Sequence, residues 1–558
     1  MQHRRARPPF VLVLALLSAC AAATAPAPTT SSDSTGVFGE FLVGRFAMDQ
    51  SDPQTAAAEF LQAHASRPGD TVLLQQAFIA TLASGEPQAI ELARQLPDSQ
   101  PAQLLLGATA ARAGRWQAAE QHFRALPRQG LAQLLQPLLI AWAQQGAGHT
   151  DAALGTIRPY LEGQRFRGVY ALHSAMIADQ AGRTADAGRL YRLAVSEYGT
   201  TNLRLAQIVA SWQARQAQSA AAQKTLAAMV ADAPELSIAL PALTAAVAKP
   251  PVANAVDGIA ESYLALAAAL NQQDAGQFAM LLLHLALDLR PDFTPARLLA
   301  ADILESQNLT EKAQQMLAQV HSDDTLIGVV RLHRAAENER LGHVDEATRE
   351  LRKLAQDYPE SPIPAMREGD LLRSNERFAE AITAYDHAIA RISQPTEQDW
   401  LVFYDRGICY ERSHQWPKAE ADFKHALTLA PDQPYVLNYL GYSWADMGQH
   451  LQQARAMIEK AIQRRPNDGA IVDSLGWVML RQGDIDDAVR TLERAVELEP
   501  EDPAINGHLG DAYWAAGRKL EATYQWRRAL TFNPEPADAV KLEAKLQGSK
   551  PISVVSGQ

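Results

Sequence analysis

The feature that most constrains this chain is a period. Gly407, Gly441, Gly476 and Gly510 stand 34, 35 and 34 residues apart, and Pro431, Pro466, Pro500 and Pro534 keep step at 35, 34 and 34. Self-similarity at this spacing marks one supersecondary unit used many times; no single unit buries its apolar face alone, so neighbours must stack. Inside a period the apolar residues keep a 3.6-residue rhythm and alternating strands are absent, which predicts two helices per unit. Small residues at fixed places, such as Gly476, Ala488 and Ala495, let the two helices approach, and larger ones, such as Leu475 and Leu492, fill the contact. The proline lacks an amide hydrogen and disfavours helix in the residue before it, so it closes one unit and opens the next. The expected fold class is all-α.

The last unit carries Leu509-Gly510, Tyr513, Gly517, Ala522, Trp526, Ala529 and Pro534 at positions 7, 8, 11, 15, 20, 24, 27 and 32 of a 34-residue frame, and it resembles the tetratricopeptide repeat. Leu475-Gly476, Gly483, Ala488, Leu492, Ala495 and Pro500 repeat the frame, as do Gly407, Tyr410, Ala419, Phe423, Ala426 and Pro431. The unit at 434–466 holds one extra residue between Gly448 and Ala454, which accounts for its longer spacing. Weaker copies run back to Gly44, Ala56, Phe60, Ala63 and Pro68, giving eight units after residue 258 and about six before it. The resemblance implies an α-α superhelix, a tetratricopeptide solenoid of about 14 helical hairpins. Residues 232–257 carry Pro234, Pro241, Pro250 and Pro251 and are expected to form a joint between two arrays, 37–231 and 258–547; the alternative is one solenoid with an irregular loop. Residues 548–558 are expected to be a loose tail.

The other informative segment is the beginning. Residues 1–19 read as a secretory signal, with Arg4, Arg5 and Arg7 before the apolar run Phe10–Leu17. The following Leu17-Ser18-Ala19-Cys20 is similar to a bacterial lipobox, which implies lipidation of Cys20 and cleavage just before it; an ordinary signal with an incidental Cys is the alternative. Residues 20–36 are small, polar and Pro-containing, a composition that cannot bury apolar surface, and are expected to act as a flexible tether. Ala21 after the lipidated Cys favours, by resemblance, the outer membrane facing the periplasm. The stretches NYLGYSWADMG, IVDSLGWVMLRQGD and NGHLGDAYWAAGR are similar to long tetratricopeptide lipoproteins of alphaproteobacterial envelopes.

Charge and motifs exclude several kinds of chemistry. The formal charge of −12 becomes −15 once residues 1–19 are removed, and no run of five like charges occurs, so nucleic acid is not an expected partner. HExxH, GxGxxG after a strand, GxxxxGK[ST] and GxSxG are all missing from the sequence. Cys409 sits at repeat position 10, a packed place in the first helix, and reads as a structural thiol. No catalytic residue, metal ligand or cofactor is therefore assigned.

Function is expected to lie on a surface. In tetratricopeptide superhelices the first helix of each hairpin lines the inner groove. By that resemblance Tyr404, Glu411, Tyr435, Asn438, Tyr442, Asp446, Asp473, Trp477, Asp511 and Trp514 face a bound peptide. Aromatic anchors among acids suit protein segments with apolar and basic side chains. The alternative placement packs Trp477 and Tyr442 inside the solenoid. The expected function is a non-catalytic envelope scaffold for protein partners; a periplasmic chaperone or carrier, and a recruitment subunit of an enzyme complex, are the alternatives.

Overall fold

A computed structural model describes residues 36–127, 132–163, 166–200, 202–273 and 275–548. The signal segment, Cys20 and nearly all of the tether and the tail lie outside the described residues. Among the described residues there are 30 α-helices, three short 3-10 helices and no strand. None of these helices is long and apolar enough to cross a membrane. The chain divides into two compact units, Met1–Pro97 and Asp98–Gln558.

The first unit holds two hairpins, Val37–Asp49 with Pro53–Ser66 and Thr71–Ser84 with Gln88–Arg94. Asp52 and Asp70 cap their second and third helices, each side chain accepting backbone N–H bonds of the opening turn.

The second unit holds four hairpins up to Asp232 and eight from Ala255 to Thr531, and ends on a single helix, Pro536–Leu546. One contact recurs in five of these twelve pairs. A Cβ added to Gly107, Gly369, Gly407, Gly476 or Gly510 would stand 2.3–2.6 Å from the side chain sixteen residues later, respectively Phe123, Tyr385, Phe423, Leu492 and Trp526. The bare backbone of the first helix is thus the floor on which the large residue of the second helix rests, at a closeness only glycine allows. In the 434–466 unit the partner of Gly441 is Ile458, seventeen residues on. The extra residue is absorbed at His450, left-handed at φ 48, which starts the Leu451–Arg464 helix.

The segment 232–257 lies inside the second unit and is folded. It forms the Pro234–Ala239 3-10 turn and the short Leu240–Ala245 helix, and its extended end is held by side chains. Ser211 donates to the Lys249 carbonyl at 3.0 Å, Gln180 to that of Val252 and Arg290 to that of Pro251, both at 3.2 Å. Prolines supply no amide donors, so the segment's backbone is satisfied through its carbonyls.

Candidate partner-binding groove

The first helices of successive hairpins touch one another, as Gln100–Arg112 touches Ala132–Gly146 and Pro434–Asp446 touches Gly469–Gln482, and together they form the inner wall of the second unit. Three stretches of the chain itself lie on this wall.

The Ala255–Asn271 helix packs on the Gln100–Arg112, Ala132–Gly146 and Arg167–Gln180 helices. Gly258 passes beneath the buried Trp142, where a Cβ would stand 2.2 Å from the indole. Tyr263 donates its hydroxyl to the Leu104 carbonyl at 3.1 Å, 159 residues away. Glu261 takes the Arg204 guanidinium in a two-pronged bond of 3.0 and 2.6 Å. Burial works to raise the Glu261 pKa, but Arg204, then His173 and Arg290, hold it below the usual carboxylate range.

Further on, the Pro234–Ala239 turn rests on the Ile327–Arg340 and Ile363–Ser374 helices, with Glu235 3.3 Å from Arg367. At the far end, Leu542 of the Pro536–Leu546 helix is buried, Lys545 meets Asp511 at 2.7 Å, and Glu535 reaches back to within 3.5 Å of Arg412. Lys541 has its ammonium held above the usual lysine range by Asp538 first and Asp446 after it.

This self-covering sorts the ten candidate residues. Asp473, Trp477 and Asp511 are interior. Asp473 accepts from His508 Nδ1 at 2.8 Å, the His508 ring stacks on Trp477 at 4.3 Å, and Asp511 accepts from Trp526 Nε1 at 3.0 Å as well as from Lys545. A ligand reaching them would have to displace His508 or Lys545. Trp514 is half-buried, 5.4 Å from Trp526, and Tyr442 is half-buried, its ring 6.1 Å from that of His508. Tyr404 stands edge-on to Tyr439 at 5.8 Å, and the Tyr439 hydroxyl donates to Glu411 at 3.2 Å. Asp446 is exposed, and Tyr435 is 39% exposed with Arg465 over its ring. Asn438 Oδ1 is buried and has no hydrogen-bond partner among the described residues.

Three features escaped the position rule. His508 sits between the expected Asp473 and Trp477; burial would lower its pKa, but Asp473 raises it above the usual histidine value. Lys545 lies beyond the last repeat, where no frame extends. Asp405, 3.5 Å from Arg373, is pushed up to about 7 by burial, against the pull of that guanidinium. Cys409 is fully buried, and burial pushes its thiol up to about 12, so it is no thiolate at neutral pH.

The tetratricopeptide-repeat family profile matches residues 337–395 and 474–537. A TPR repeat-containing protein of Pseudomonas aeruginosa is 30% identical over 191 residues, 34% of this chain and 32% of that protein. Bacteriophage adsorption protein A of Escherichia coli is 34% identical over 80 residues, 14% of this chain and 8% of that protein. The chain thus spans about a third or less of the curated relatives it matches. Among solved structures, the Cut9–Hcn1 hetero-tetramer aligns over 93% of this chain and 97% of its own at 14% identity and TM-score 0.38. YrrB, described as a TPR protein with an unusual peptide-binding site, aligns over 35% of this chain and 97% of its own at 20% identity and TM-score 0.27. Hairpins that recur about every 34 residues, several of them closed by a glycine beneath a large side chain, together with the matches at residues 337–395 and 474–537, show that this chain carries tetratricopeptide repeats, which imply a scaffold for protein–protein interaction.

Proposed function

We propose that the chain is a lipoprotein of the bacterial envelope, anchored through Cys20 in the outer membrane, and that it holds periplasmic protein partners on the stretch of inner wall formed by the Trp400–Arg412 and Pro434–Asp446 helices. The observation that carries the site is the self-covering of the wall on either side. The turn at Pro234–Ala239 occupies it before, and the Pro536–Leu546 helix after, reaching back to Arg412 and towards Asp446 so that the open part of the two helices is their N-terminal half. Between them Leu401 is 42% and Tyr435 39% exposed, one turn before Tyr404 and Asn438, with the acids Glu411 and Asp446 at the other ends of the same two helices.

The chain's own occupant supports the class of ligand. The Pro536–Leu546 helix offers Leu542 to an apolar seat and Lys545 to Asp511, while Lys541 pairs with Asp538 of its own helix and feels Asp446 of the wall. A partner segment with apolar and basic side chains would use the same chemistry in the open window, with half-exposed aromatics as anchors. Aromatic anchors suit this task because they bring large contact area at low entropic cost.

A photo-crosslinkable residue in place of Tyr435, in living cells, tests the reading, with the same residue in place of Tyr524 as control; Tyr524 is 61% exposed on the second helix of the last hairpin. The expected result is one stoichiometric partner from position 435, lost at least about tenfold on adding Leu401→Asp. Capture of many outer-membrane precursors would move the assignment to a chaperone, and capture of one enzyme to a recruitment subunit. Equal capture from both positions would overturn the groove.

A further inference from the structure

The first helix, Val37–Asp49, has one face against its hairpin partner and one face bare. On the packed side Gly44 and Ala47 are buried, Phe41 stands edge-on to Phe60 at 5.8 Å, and Glu40 accepts from Gln62 at 2.8 Å. On the other side Phe38 is 75%, Leu42 50% and Phe46 66% exposed. Spaced at i, i+4 and i+8, these three fall within an arc of roughly 80°. Arg45 and Asp49 flank them. In a stacked array this face of a first helix is where a preceding repeat would pack.

We propose that this face seats on the lipid surface to which Cys20 is anchored, so that the first helix orients the protein as well as following the anchor. The inference rests on the lipoprotein reading above. Fifteen residues lie between Cys20 and Gly36, a length that spans at most about 55 Å however it is arranged, so the bilayer surface is within reach of the first helix. Two Phe and one Leu present on the order of 300 Å² of surface, well under the roughly 800 Å² per partner of a stable dimer, which argues against a second copy as the occupant. A small patch suffices against a surface held at high effective concentration by an anchor. With Arg45 the one base within this helix and a mature charge of −15, the face suits lipid by apolar contact rather than by attraction to anionic headgroups.

The test uses the full mature chain, acylated and reconstituted in phosphatidylethanolamine–phosphatidylglycerol vesicles, with Leu42→Cys carrying the environment-sensitive NBD fluorophore; Cys409 is buried and does not compete. Mass spectrometry of the N-terminal peptide reads acylation separately. The expected result is NBD emission raised roughly twofold and quenched by brominated lipid tails, with little dependence on the phosphatidylglycerol fraction. Phe38→Asp with Phe46→Asp should return the signal to its value in water while acylation and vesicle association persist. Water-like NBD on an acylated, vesicle-bound chain would overturn the seated face and leave the anchor standing. An unacylated Cys20 would overturn the anchor and this inference with it. A dimer in solution that Phe38→Asp dissolves would overturn the inference in favour of a second copy.

Discussion

At the scale of single residues the glycines divide into two kinds, and substitution should separate them by sign. At Gly510 an added Cβ would stand 2.4 Å from the indole of Trp526, a ring pinned by its 3.0 Å bond to Asp511. At Gly507, one turn earlier on the same helix, the nearest atom would be Leu542 at 3.5 Å, an ordinary contact. Gly510→Ala should therefore destabilise by about 1–3 kcal/mol, because a packed core resists an inserted methyl group. Gly507→Ala should be neutral or stabilising by up to about 1 kcal/mol, since alanine loses less backbone freedom on entering a helix. Paired thermal melts decide it, and a loss at Gly507 as large as that at Gly510 would refute the close-contact account. The helix, the period and the register of both glycines were legible in the sequence. Their different tolerance was not, because Leu542 comes from a helix beyond the last repeat, which no frame position announces.

Among elements, the Ala255–Asn271 helix is the one that serves twice. It pairs with Gly276–Leu289 as the first helix of a hairpin, and it also covers the inner wall of the hairpins before it. The repeat frame reveals the first role because the frame records only partners within a unit. The second left a compositional trace: apart from Asp257 and Glu261, which are paired with Arg290 and Arg204, AVDGIAESYLALAAALN is dominated by apolar and small residues, as a largely buried helix must be. That composition does not say which wall covers it. The candidate groove was legible to the same extent. Frame positions marked the inner face of each first helix, whereas His508 and Lys545, which cover Asp473, Trp477 and Asp511, are matters of packing between units. The Arg204–Glu261 pair tests the docking of the covering helix. Its side chains are 15% and 4% exposed, so Glu261→Gln strands a buried guanidinium and should cost about 3 kcal/mol, whereas Arg204→Met with Glu261→Leu should recover most of that loss. Glu261 titrates below its ordinary value of 4.5 in the fold, so its contribution is present above that pH and lost as pH falls through the folded value. The difference in denaturation midpoint between the parent and Glu261→Gln should accordingly shrink below pH 4.5; a difference constant from pH 7 to pH 3 would refute the ion pair as its source.

For the molecule as a whole, the same helix changes how the second unit should come apart. A repeat array is quasi-one-dimensional: each hairpin feels only its neighbours, so opening spreads from the ends and stability is graded along the chain. Contacts that skip repeats break that rule. Tyr263 reaches Leu104, Arg112 pairs with Asp288 at 2.8 Å on the surface, and Gly258 lies under Trp142, so hairpins 116 to 176 residues apart in sequence are joined directly. The helices from Gln100 to Leu289 should therefore open together, because no hairpin among them can leave without uncovering the Ala255–Asn271 helix. The hairpins from Trp400 to Thr531 have mainly neighbour contacts and should open stepwise. Native-state hydrogen exchange across a denaturant series reads this directly. Amides of the Ala132–Gly146 and Ala255–Asn271 helices should merge into a single exchange isotherm, while those of Trp400–Arg412 and Pro503–Ala515 remain on separate ones. Gly258→Ala, whose Cβ would meet the Trp142 ring at 2.2 Å, should split the merged isotherm by loosening the covering helix alone. If the two helices already exchange independently in the parent chain, the inner wall there is open on the exchange timescale and the covering helix is no part of its interior. In that case the open window between Trp400 and Asp446 would lose the contrast that singles it out as the place for a partner.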